Sequence, residues 1–294
     1  MSASNEVVLA PSPAQPGPWS EAWREYRRNR AAIAGLVVVV AIALMVLIGP
    51  HVYAVDPFDI TGGPLTPPLD SVNPLGTDVL GRDILAGLLH GGRPTLIVGF
   101  VAALIAVLIG MTLGTLGGYF GGRVDELISR ITEFFQTLPA LLFAMVIVTL
   151  FGASLTTVTL AIGAVSWTPI ARLTRAEFLR IKQFEYVRAA RSIGATDMFI
   201  ALRVIFPNAV PPILVAATLA VGTAVLFEAG LSFLGLTDAN TMSWGLMIGA
   251  GRTVILQAWW PAALPGILIF LTVLGISLIG DGLNDALNPR LRSR

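Results

Sequence analysis

The chain has 294 residues, 55% hydrophobic and 13% charged, with a formal net charge of +1 and a mean hydropathy of +0.78. Soluble globular domains carry roughly 25% charged residues, so these values exclude that class and place the chain in a membrane. There is no cysteine and only two histidines, His51 and His90, which excludes disulfide scaffolds, cysteine zinc sites, iron–sulfur clusters, thiol nucleophiles and histidine-rich metal sites.

Residues 1–18 include "PSPAQPGP", hold few large apolar side chains and read as the disordered start of a tail over 1–30. A span must cover about 30 Å of hydrocarbon with roughly 20 residues. Runs of that kind fall at 31–50, 94–118, 134–152, 157–174, 207–230 and 262–281, which predicts an all-α membrane protein of six spans. The first run is too long, and too far from the start, for a secretory signal, and reads as a retained anchor. In the loop 51–93, "GTDVLGRDILAGLLH" predicts a helix from Val79, capped by Thr77 or Asp78. Its Leu80, Ile84 and Leu88 would form an apolar stripe along the outer membrane surface.

Lys and Arg accumulate on the cytoplasmic side of membrane proteins. With the N-terminus inside, the inner segments hold four arginines between Arg24 and Arg30, then Arg123 and Arg130, seven cations from Arg172 to Arg203, and Arg290, Arg292 and Arg294. That is sixteen of the 19 Lys and Arg residues; the outer segments keep Arg82, Arg93 and Arg252. Both termini are therefore expected inside, the second as a tail over 284–294.

Within the second span, Gly110, Gly114, Gly118 and Gly122 recur every four residues. Small side chains at that spacing form a face that lets helices approach closely, within this subunit or against another. Glu228, near the end of the fifth span, is a candidate for lining an outer gate; an interfacial carboxylate paired with a residue such as Arg252 is the alternative. Asp78 and Asp83 alone lack the oxygen cage of a calcium site, and no Gly-x-Ser-x-Gly turn supports a protease.

The stretch 185–208, "EYVRAARSIGATDMFIALRVIFPN", lies between two apolar runs. The helix before it carries Arg172, Arg175, Arg180 and Lys182 among apolar residues and reads as running on into water. "EYVRAARSIG" then predicts a short helix stopped by Gly194, a second helix through Leu202, and Pro207 opening the fifth span. A compact helix, turn and helix exposing Ala189 and Ala190 suits close approach by another protein. A solvated connector is the plainer reading, and a nucleic-acid patch is disfavoured by Glu177, Glu185 and Asp197. A P-loop needs G-x-x-x-x-G-K-[ST], whereas the sole lysine, Lys182, sits between Ile181 and Gln183. ATP cannot bind this chain by that route. The spans also lack the mid-membrane carboxylate pairs of an ion-coupled carrier.

"AARSIG…VIFP" resembles the EAA signature of ABC importer permease subunits, with Val204 and Phe206 at its apolar positions and Arg188 in place of its glutamate. "PLGTDVLGRDILAGLLHGGRPTLIVG" at 74–99, "FEAGLSFLGL" at 227–236 and "GDGLNDALNPRLR" at 280–292 resemble the C-type subunit of dipeptide, oligopeptide and nickel permeases; Thr237 replaces the glycine usual after the second block. The resemblance runs from about Trp19 to the end. It implies a type I importer permease core over 94–283 in a bacterial inner membrane, forming half of a pore for peptides or a related small solute with a homologous permease. An extracytoplasmic binding protein would deliver the solute. Two ABC ATPase subunits or domains would bind ATP and Mg, leaving this chain a non-catalytic subunit without a cofactor of its own. It further implies that Arg188, Ala189, Ala190, Gly194 and Pro207 belong to the ATPase-coupling loop 185–207. A self-sufficient ion-coupled carrier or facilitator is the alternative.

Overall fold

The computed structural model describes residues 18–287, so the readings of 1–17 and of Arg290, Arg292 and Arg294 fall outside it. A helix, α1 (Pro18–Arg28), occupies part of the expected tail. Asn29 then caps α2 (Arg30–Val52) by accepting from the Ala32 amide, and its side-chain amide donates to Asp285 at 3.0 Å. α2 packs along the last helix, α12 (Trp260–Leu287). A Cβ on Gly35 would lie 2.7 Å from the Gly275 carbonyl, and one on Gly275 would lie 3.0 Å from that of Gly35. The two glycines bring the backbones together face to face.

α3 (Ile84–Phe120) is one unbroken helix of 37 residues, about 55 Å long at 1.5 Å per residue. It replaces the expected surface helix from Val79. Asp78 instead closes a turn, accepting from the amides of Leu80 (2.7 Å) and Arg82 (2.9 Å), and Gly81 takes φ +81°. Asp83 is the true cap, accepting from Ala86 at 2.8 Å. Ile84 and Leu88 are buried in the protein.

Two expected spans are broken. α4 (Gly122–Thr137) and α5 (Ala140–Phe151) meet at 86°. Leu138, held extended by the following Pro139, makes the corner. The run 157–174 is shared between α6 (Leu155–Val165) and α7 (Thr168–Ile181). Conversely, the second loop helix and the fifth span are continuous. α8 (Glu185–Ser192) is followed by a short α9 (Asp197–Phe199), a π-helical stretch over Ile200–Ile205 and α10 (Phe206–Phe233) without interruption. Among the described residues four helices are long and apolar enough to cross a membrane, or five if α4 and α5 count as one. The expected six separate spans are not all continuous helices: the third run is bent at Leu138 and the fourth is interrupted between Val165 and Thr168. α11 (Trp244–Gly251) completes the set.

Three apolar clusters follow the bundle axis. One gathers around Trp244 and Trp260 at the end bearing the long loop 53–83. A second fills the middle with Val98, Ala102, Val148 and Ile162. The third, with Tyr119, Phe178, Ile181, Val187 and Ile200, lies directly beneath the 185–207 stretch.

Candidate functional site

α8 is a short helix held by one deep side chain. Val187 is 2% exposed, whereas Arg188, Ala189, Arg191 and Ser192 are exposed. The two alanines differ from the expectation that both are exposed: Ala190 is half-buried against the cluster around Val187. The helix closes as a Schellman motif, with the Gly194 amide donating to the Arg191 carbonyl and the Ala195 amide to that of Ala190, both at 3.1 Å. Gly194 takes φ +81°, and nothing lies within 4 Å of a Cβ built there. Its requirement is therefore purely conformational.

Beyond the turn, Thr196 caps α9. The π-helical stretch explains how Pro207 sits inside a continuous helix rather than at a fresh start. The Phe206 amide reaches back five residues to Ala201, and the Asn208 side chain donates to the Val204 carbonyl at 2.7 Å, so the missing amide of Pro207 leaves little unpaired. Two large apolar side chains stand out beside the turn, Ile193 at 85% exposed and Met198 at 69%, among the exposed Arg188, Arg191, Ser192, Thr196 and Asp197.

The loop is clamped to the bundle at one residue that sequence reasoning passed over. The Tyr119 hydroxyl donates to Asp197 at 2.5 Å, and Lys182 Nζ donates to the Tyr119 backbone carbonyl at 2.5 Å while lying 5.4 Å from the ring centroid. Lys182 precedes α8 and Asp197 follows it, so both flanks of α8 are tied to the last turn of α3. The sole lysine beside a predicted loop was the available signal.

α3 in turn is seated on α7. A Cβ on Gly110 would meet Ile170 at 2.6 Å, one on Gly114 the Ala171 carbonyl at 2.5 Å, and one on Gly118 the Cβ of Phe178 at 2.7 Å. Gly122 does not share this face: it has φ +53°, meets nothing within 4 Å, and belongs with Gly121 to the turn into α4. Arg175 of α7 makes a two-pronged ion pair with Asp125 of α4. α3, α4, α7 and the loop thus form one braced corner.

Glu228 is 1% exposed rather than interfacial, and its Oε1 accepts from Ser232 at 2.6 Å. Arg252 is not its partner; the guanidinium lies 4.9 Å from the Phe233 ring centroid.

This fold is shared with chains of ABC transporters. A chain of the MetNI methionine ABC transporter in an inward-facing conformation superposes with a TM-score of 0.59 at 22% identity, over 69% of this chain and 96% of that one. A chain of an amino acid ABC transporter gives 0.51 at 23% identity, over 65% and 89%. Residues 106–293 match the family described as the inner membrane component of binding-protein-dependent transport systems, and residues 17–68 match the N-terminal transmembrane domain of oligopeptide transport permease C. The di/tripeptide permease protein DppC of Pseudomonas aeruginosa is 39% identical over 98% of both chains. The oligopeptide permease protein OppC of Escherichia coli is 40% identical over 93% of this chain and 92% of its own length. The chain belongs to the family of inner membrane components of binding-protein-dependent transport systems.

Proposed function

We propose that the chain is the C-type permease subunit of an ATP-driven, binding-protein-dependent importer of dipeptides or oligopeptides. It forms half of the translocation pore with a homologous permease and takes its stroke from two cytoplasmic ATPase subunits through the loop 185–207. The peptide cargo is supported by relatives that are peptide permeases along nearly their whole length. The single observation that carries the coupling role is the double tie of α8 to Tyr119. A small helix exposing Ala189 and Ile193 offers a contact surface, and a push on it reaches α3 through Lys182 and Asp197 rather than dissipating in a loose connector. The glycine contacts with α7 carry that displacement along the bundle.

In this reading both termini and the loop 185–207 face the cytoplasm, which the sixteen cations against three in the sequence support. The long loop 53–83 and residues 234–243 face the binding protein. Reconstitution tests the function: the chain with its partner permease, ATPases and loaded binding protein takes up peptide only with ATP. Uptake by the chain alone, driven by a proton or sodium gradient, contradicts the assignment.

A further inference from the structure

Glu228 stands in the last two turns of α10, where α3 and the start of α11 converge. The packing is close: a Cβ on Gly245 would lie 2.5 Å from the Ala229 carbonyl, one on Gly91 3.2 Å from the carbonyl carbon of Ser243, and one on Gly99 2.4 Å from Val225. In this junction two oxygens from different helices are buried without a hydrogen-bond partner. One is Oε2 of Glu228 and the other is Oγ1 of Thr95, a residue with no exposure at all. The hydroxyls of Thr95 and Ser243 both face the carboxyl. Ser232 donates to Oε1, and Ser243 Oγ accepts from the Leu246 amide in capping α11, which leaves its own proton free.

Among the described residues no charged side chain acts on the carboxyl. α5, α6 and α11 contain no titratable residue, and α10 contains none besides Glu228. On α3 the titratable residues are His90 and Arg93, which line a separate cavity with Asp56, Phe58 and Asn240, and Tyr119, whose hydroxyl is on Asp197 at the other end of the helix. α12 carries Asp281 and Asp285 near its other end, by Asn29. A carboxylate buried among apolar helices without a cation costs several kcal/mol, and an unsatisfied buried hydroxyl adds to it. One proton removes the buried charge, and the second oxygen then becomes a donor for which Thr95 Oγ1, itself unpartnered, is the acceptor at hand.

We propose that Glu228 is a proton-binding site: a neutral carboxylic acid whose Oε2–H donates to Thr95 Oγ1 and latches α10 to α3 beside α11. The site is a neutral latch between packed helices and not a charged lining of the pore.

The test uses the whole transporter complex, purified in its resting state at neutral pH, and infrared difference spectra between wild type and Glu228→Gln. The expected difference is loss of one carbonyl-stretch band of a neutral carboxylic acid; loss of carboxylate bands in its place overturns the proposal. Thr95→Val should retain that acid band and shift it to higher frequency as its hydrogen bond is removed. An unmoved band overturns the assignment of Thr95 as acceptor. Glu228→Gln should be recovered as an intact complex, since the amide donates to Thr95 and accepts from Ser232 in the same way. Failure of that variant to assemble, with Glu228→Asp assembling normally, overturns the neutral state.

Discussion

The Tyr119 hydroxyl donates a 2.5 Å hydrogen bond to Asp197, joining the end of α3 to the segment that follows the exposed turn at Gly194. Lys182 holds the backbone of the same tyrosine from the other flank of α8. A short helix attached on both sides to one residue moves with that residue, and this is what the coupling role requires.

Removing the hydroxyl tests that attachment. A hydrogen bond to a charged group contributes about 1.5–3 kcal/mol, and the exposure of Asp197 puts this one at the low end. Tyr119→Phe should leave the complex assembled and ATP hydrolysis present, yet lower peptide uptake per ATP several-fold. Lys182→Met should act in the same direction. Uptake and hydrolysis falling in proportion would mean that the tie stabilises the loop without transmitting motion.

The glycine face makes a stability prediction with an internal control. Gly114→Val places its Cβ 2.5 Å from the Ala171 carbonyl and must part α3 from α7, at a cost of typically 1–3 kcal/mol for an overpacked contact. Gly122→Ala meets nothing and bears only a left-handed backbone conformation, roughly 1 kcal/mol. Thermal unfolding of the purified complex should rank Gly114→Val well below Gly122→Ala. Equal midpoints would contradict the close packing of α3 on α7.

Much of this was legible in the sequence because the signals are local. Apolar run lengths marked the membrane helices, and the arginines marked their ends. The Gly-after-two-alanines pattern located the Schellman turn that the backbone adopts at Gly194. What escaped depends on contacts between distant segments. Neither the 119–197 tie nor the burial of Glu228 has a local signature, since the first joins residues 78 positions apart and the second is made by three helices at once. Helix ends also escaped where a side chain had two uses: Asp78 could cap a helix or close a turn, and Gly81 at positive φ decided for the turn. Gly122 continued a spacing of four, but the helix had already ended.

The long-loop end carries a pH-dependent tie. Burial, then the hydrogen bond to Asp83 and the charge of that carboxylate, push the Tyr53 hydroxyl from 10.0 up to about 12. An acid whose folded value is raised stabilises the fold fully below its ordinary value, and loses that contribution as pH rises from 10.0 to about 12. A phenolate absorbance titration should therefore lose its last tyrosine step in Tyr53→Phe, and Asp83→Asn should move that step down. A Tyr53 step at the ordinary tyrosine value would contradict the tie.

Orientation is open to a direct check. A reporter active only in the cytoplasm should work when placed within 120–132 and fail within 60–75 or 238–250. Activity at 60–75 would reverse the assignment of the coupling loop to the cytoplasm.

The most direct test of the coupling role compares Gly194→Val with Gly194→Asn in the assembled importer, measuring how far loaded binding protein stimulates ATP hydrolysis. The turn has open space around it and demands only φ +81°, which asparagine tolerates and a β-branched residue resists by roughly 1–2 kcal/mol. The account predicts that the asparagine variant keeps most of the stimulation and the valine variant loses it, with both chains still inserted in the membrane. Full stimulation in the valine variant would contradict the claim that the helix and turn at 185–195 couple ATP hydrolysis to the pore.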